Sequence, residues 1–212
     1  MISENAEQKN LIAAAAALNV TLSPEAAGRL LQLLDELARW NKTYNLTAIT
    51  DRAEMLTHHL LDSLSIHPYL QGNAIADVGT GAGFPGLPLA VTNPDKHFTL
   101  IDSNNKKVRF VNHAAHAIGL SNVEGIHVRA EAYKPRAPFD TVTARAFAAL
   151  PDLLRNVAPL CGPSTRVLAM KGRPTDDELA AIPAGWGLVD SHPLRVPGLD
   201  AARCVVVVDR IL

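Results

Sequence analysis

The chain has 212 residues, enough for one large domain with an appendage and too few for two full-sized catalytic domains. With 48% hydrophobic and 19% charged residues it can bury a sizeable core, which excludes a disordered or fibrous protein. A formal net charge of -1, from 20 basic and 21 acidic residues, excludes a global positive field, so any polyanion must be held by local patches.

The N-terminal MISENAEQKN carries mixed charge, and the apolar LIAAAAALNV after it lacks both a basic lead-in and the length of a membrane span, so neither a secretion signal nor a transmembrane segment is expected. The alanine run at 13–17 favours helix. Ser23-Pro24 supplies a cap and a first-turn proline for an amphipathic helix carrying Leu30, Leu34, Leu37 and Trp40. The segment WNKTYNLTAIT is rich in Asn and Thr and reads as turns. Asp51 and Glu54 form a capping-box-like pair ahead of a second amphipathic helix that stops near His67-Pro68. Residues 1–70 are therefore expected to form a helical extension and 71–212 a single compact core.

From about residue 74 the rhythm changes to short β-prone runs, AIADV, HFTLID, VEGIHV, DTVTAR, RVLAMK and CVVVVDRIL, separated by helical stretches. Repeated β-α units of this kind predict a mostly parallel sheet with helices on both faces and ligands at the carboxyl ends of its strands. The helical stretches are expected at 86–91, 106–118, 150–159 and 176–182.

The strand-end residues carry the chemistry. In ADVGTGAGFPG, Gly79, Gly81 and Gly83 let the backbone turn and approach a ligand ahead of a helix N-terminus. Gly81, Gly83 and Gly86 also satisfy a literal G-x-G-x-x-G, but Asp77 just before the loop would repel a dinucleotide pyrophosphate, whereas it suits the cationic S-adenosylmethionine. Asp102 ends the next strand, where a carboxylate can accept ribose hydroxyls. Ala130-Glu131 follows the third strand, at an adenine-binding edge or as a solvated loop. Arg145 and Lys171 end the fourth and fifth strands and are expected to position substrate, with surface ion pairs as the alternative. Lys106, Lys107 and Arg109 read as a solvated helix face, with a phosphate-binding RNA patch as the alternative. His58 and His59 lack companions at ligand spacing, so no metal is expected. His59 and Asp62 order the junction between extension and core, or line a cleft. Trp40 and Tyr44 read as core or junction residues. Two distant cysteines, Cys161 and Cys204, suit a reducing cytoplasm.

Taken together, WNKTYNLTAIT, HLLDSL, DVGTGAGFPGLPLA, LIDSNNKKVRFV, VRAEAY, TARAFAAL and MKG resemble, in order and spacing, the bacterial small-subunit rRNA guanine-N7 methyltransferases, the RsmG or glucose-inhibited division protein B family. The resemblance spans nearly the whole chain. It implies a Rossmann-like methyltransferase core with an N-terminal helical extension, transferring a methyl group from S-adenosylmethionine to a guanine N7 in the decoding region of 16S rRNA. The partner it implies is that RNA, the small ribosomal subunit or an assembly intermediate, with no membrane and no obligate protein partner. By motif position the implied cofactor contacts fall on Gly79, Phe84, Asp102, Ser103, Asn104, Ala130, Glu131 and Arg145. A small-molecule methyltransferase, a nicotinamide oxidoreductase and a non-catalytic RNA-binding factor are the competing classes.

Overall fold

The computed structural model describes residues 6–145 and 149–211. Helix α1 (Ala6–Ala16) covers most of the alanine run. Helix α2 (Pro24–Tyr44) starts where Ser23 accepts the Ala26 amide, with Pro24 in the first turn. Its end differs from expectation: Trp40 to Tyr44 stay helical, and the left-handed Asn45 (φ 49°) closes the helix. The cause is packing, since Trp40 lies 5.6 Å from the Phe110 ring and 4.9 Å from the His113 ring, and this outweighs the turn propensity of the Asn and Thr residues. Only the NLTAIT half of that segment leaves the helix.

Asp51 caps α3 (Arg52–Met55) by accepting the Glu54 amide. The chain then widens into a π-helical turn at Leu56–Leu61 before α4 (Asp62–Leu64) and a short 3-10 turn at His67–Tyr69. The amide of Asp62 reaches back to the Thr57 carbonyl, the i→i+5 bond of such a turn.

Seven strands follow: β1 (Ala74–Val78), β2 (His97–Asp102), β3 (Val123–His127), β4 (Phe139–Arg145), β5 (Cys161–Lys171), β6 (Trp186–Leu194) and β7 (Arg203–Arg210). They form one sheet in the order β3-β2-β1-β4-β5-β7-β6. The first five run parallel, and β7 runs antiparallel to both β5 and β6. The strand order reverses between β1 and β4, which places a crevice over their carboxyl ends. Helices α5 (Gly86–Thr92), α6 (Asn105–Ala117), α7 (Leu150–Val157) and α8 (Asp176–Ala180) connect the strands.

Alternation along the strands sorts the core into two layers. Ile75, Leu168, Met170, Val205 and Val207 pack with Leu87, Phe98 and Phe110 and with Leu30, Leu34, Leu37 and Leu64 of the helical extension. Val78, Val142, Val167, Val206 and Val208 pack on the opposite face against Leu150, Leu153, Leu154 and Val157 of α7. The extension therefore lies on the same face as α5 and α6. Among the described residues no helix is long and apolar enough to cross a membrane.

Candidate functional site

The loop after β1 is built around Asp77, whose side chain turns inward. Its Oδ2 accepts Thr80 Oγ1 at 2.5 Å and the Gly86 amide at 2.9 Å, and its Oδ1 accepts Thr143 Oγ1 at 3.0 Å. Burial raises its pKa, against the pull of these donors. Completely buried, Asp77 braces the loop and the start of α5, and it does not offer a ligand the carboxylate that the sequence suggests. Gly79, Gly81 and Gly83 all have positive φ, at 66°, 61° and 88°. At Gly83 an added Cβ would lie 2.4 Å from Leu87 Cδ1, so its missing side chain serves packing between loop and helix.

A pocket of about 190 Å³ opens over the ends of β1, β2 and β3, and it gathers Gly79, Asp102, Ser103, Ala130 and Glu131. Asp102 is fixed at its wall, accepting the Gly81 amide at 2.9 Å and the Asn104 amide at 2.8 Å. The Asn104 side chain caps α6 by accepting the Lys106 amide, so it is directed at the helix and not at the pocket. Glu131 is half exposed and 3.8 Å from Arg129. Asn156 of α7 also lines this pocket, a contribution that strand-end reasoning misses. Phe84 lies elsewhere, buried and stacked on His59 with ring centroids 4.7 Å apart.

A larger cleft of about 570 Å³ occupies the same edge of the sheet over β4, β5 and β7, and His59, Asp62, Arg145, Lys171 and Arg203 line it. Arg145 Nη1 donates to the His58 carbonyl at 2.8 Å and to Asp62 Oδ2 at 3.1 Å, with its guanidinium 5.7 Å from the centre of the Phe84 ring. The π-helical turn sets this contact: with the Asp62 amide directed to Thr57, the His58 carbonyl accepts the arginine. His59 and Asp62 thus both order the junction and line the cleft. Lys171 is paired with Glu178 at 2.7 Å, and Glu178 also accepts the Leu150 amide, which ties β5 to α7 and α8. Burial opposes ionisation of Glu178, but these donors outweigh it and lower its pKa. Arg203 is absent from the sequence expectations because the direction of β7 is not visible in CVVVVDRIL. The Ala146-Phe147-Ala148 stretch of the TARAFAAL motif lies outside the described residues. Among the described residues, no cluster of three or more His, Cys, Asp or Glu could hold a metal.

A family model described as rRNA small subunit methyltransferase G, GidB, matches residues 27–206. The chain belongs to this family. It is 48% identical over 195 residues to the ribosomal RNA small subunit methyltransferase G of Marinobacter nauticus, covering 92% of this chain and 91% of the relative. The corresponding protein of Nitrosococcus oceani is 46% identical over 205 residues, covering 97% and 94%. Solved structures agree on the fold: TrmN from Thermus thermophilus superposes with a TM-score of 0.57 at 21% identity, over 74% of this chain and 53% of that one. The ribosomal protein L11 methylase of Lactobacillus delbrueckii gives 0.54 at 16% identity, over 77% and 81%. This rRNA methyltransferase is S-adenosylmethionine-dependent, and the smaller pocket suits that donor. Carboxylates at Asp102 and Glu131 can accept hydroxyl and amino groups, and Gly79 brings no side chain to the wall.

Proposed function

We propose that this methyltransferase modifies N7 of a guanine in the decoding region of 16S rRNA, within the small ribosomal subunit or an assembly intermediate, in the cytoplasm. One observation carries the reading of an RNA acceptor. The cleft beside the cofactor pocket is lined by Arg145, Lys171, Arg173 and Arg203 against only Asp62 and Glu178, in a chain whose net charge is -1. That is the local patch a polyanion needs.

S-adenosylmethionine, when bound, supplies an electrophilic methyl group on a sulfonium. Asp102 and Glu131 hold the ribose and adenine side of the donor, and the turn at Gly79 brings backbone close to it. Guanine N7 already carries an in-plane lone pair, so no side chain has to remove a proton, and alignment is what the chain must supply. The site agrees with that demand, since His59, buried and held near neutral form, is a packing partner of Phe84 rather than a base. Arg145, in the wall of the cleft, positions the acceptor. Lys171 acts with it through the ion pair to Glu178, holding the cleft wall in place.

Replacing the acceptor guanosine by 7-deazaguanosine tests the atom. That RNA should bind with unchanged affinity and accept no methyl group, because C–H replaces the nucleophile while the Watson-Crick edge is kept. Methylation continuing at the same nucleotide would exclude N7.

A further inference from the structure

The parallel strands bring their last residues, Arg145 and Lys171, to the cleft, whereas β7 runs the other way and brings its first. Cys204 pairs with Lys171 across the sheet, so Arg203 sits just past the end of β5. Its Nε donates to Asp62 Oδ1 at 3.2 Å, while Arg145 Nη1 donates to Oδ2 of the same carboxylate at 3.1 Å. The Asp62 side chain is 3% exposed, and the two arginine side chains are 27% and 23% exposed along the cleft. Among the described residues the only other hydrogen-bond acceptors of these guanidiniums are main-chain carbonyls, Ala202 for Arg203 and His58 for Arg145, and the Arg145 guanidinium also lies over the Phe84 ring. Each guanidinium carries five N–H groups, so several remain to face a ligand.

We propose that Asp62 is a positioning residue that pairs Arg145 and Arg203 into a clamp for one phosphodiester of the acceptor RNA strand, next to the methylated nucleotide. This rests on the reading of the chain as an RNA methyltransferase. Two guanidiniums on one carboxylate leave a positive charge over, and planar forks match phosphate oxygens. Because both Asp62 oxygens are occupied, the carboxylate fixes the arginines without turning a free acceptor toward the anion. It also connects the two sides of the cleft, since Asp62 belongs to the helical extension and its arginines to the sheet.

The test is binding of a 16S rRNA fragment containing the target guanine, titrated between low and physiological salt. Arg203→Ala should lower the slope of log affinity against log salt by about 0.7 to 0.9, the loss of one phosphate contact, with S-adenosylmethionine affinity by calorimetry unchanged. Arg203→Lys should restore the slope, because counterion release counts charge. Asp62→Asn, which keeps the shape and removes the charge, should slow single-turnover methyl transfer at saturating RNA at least tenfold with donor affinity unchanged. Should the alanine protein fail to fold, Arg203→Gln keeps a donor toward Asp62 and takes its place. A slope equal to wild type in a folded Arg203→Ala or Arg203→Gln protein overturns the clamp. Failure of the wild-type enzyme to methylate the RNA fragment, free or in subunits, would instead remove the functional reading on which the clamp rests.

Discussion

His59 stacks on Phe84 and meets Thr47 Oγ1 through Nε2, and burial together with the nearby Arg145 charge lowers its pKa to about 4. An unfolded chain takes up a proton at this imidazole below about pH 6.5, while the folded chain stays neutral until about pH 4. The unfolded state thus binds more protons between these values, and stability falls as the pH drops through that window. From pH 7 to pH 5 the loss is roughly 2 kcal/mol. Urea unfolding should show it in the wild type and not in His59→Gln, and an equal acid loss in both would assign it to other groups. At this scale, strand-end logic makes Gly79, Asp102, Ala130 and Glu131 legible, because residues at the ends of adjacent parallel strands meet wherever the sheet forms, whereas Ser103 is reached only through the family resemblance. The inward turn of Asp77 is not legible, since its partner Thr143 comes from a strand 66 residues away. The pairing of Lys171 with Glu178 is hidden for another reason: the two lie close in the chain, but periodicity does not show the turn that folds α8 back onto the end of β5.

The glycine loop divides into positions that answer to different constraints. A Cβ at Gly83 would meet the buried Leu87 at 2.4 Å and 2.7 Å, with φ at 88°, so neither the side chain nor the backbone has room to yield. Gly83→Ala should destabilise the fold by about 2–4 kcal/mol, combining overpacking with left-handed backbone strain. At Gly81 the nearest atoms stand 4.0 Å away and only the positive φ counts. Gly81→Ala should lose about 1–2 kcal/mol. Denaturant unfolding of the pair checks this, and the reverse order would contradict the packing role of Gly83. Element by element, the β-prone runs locate most of the sheet. The strand β6 escapes notice because it is an edge with Leu188 and Val189 about half exposed, a bulge between Leu188 and Asp190, and a proline, which together erase the period-two pattern. The first half of β5 is masked likewise by Gly162, Pro163 and the left-handed Ser164. The widened turn at Leu56–Leu61 cannot be seen in hydrophobic periodicity, since one additional residue in a single turn barely disturbs it.

Over the whole molecule, a continuous buried cluster joins Leu30, Leu34, Leu37 and Leu64 to Leu87, Phe98 and Phe110. Because these apolar groups pack in one buried cluster, the extension and that face of the sheet should unfold together. Calorimetry of the full chain should give a single cooperative transition, with a calorimetric enthalpy equal to the van't Hoff value. Two resolved transitions would show that the extension is an independently stable unit. The widened turn sets a further condition on the length of the chain. Successive residues of an α-helix are rotated by about 100° around its axis, and a π-helical turn takes up one residue beyond the ordinary ladder. A deletion of any one residue within Leu56–Leu61 that let the ladder revert would preserve much of the local apolar composition, yet it would swing Asp62 about 100° away from both arginines. Here the number of residues, and not only their identity, is under constraint: a frame-preserving loss tolerable in a surface loop would put the junction out of phase with the cleft it helps to build.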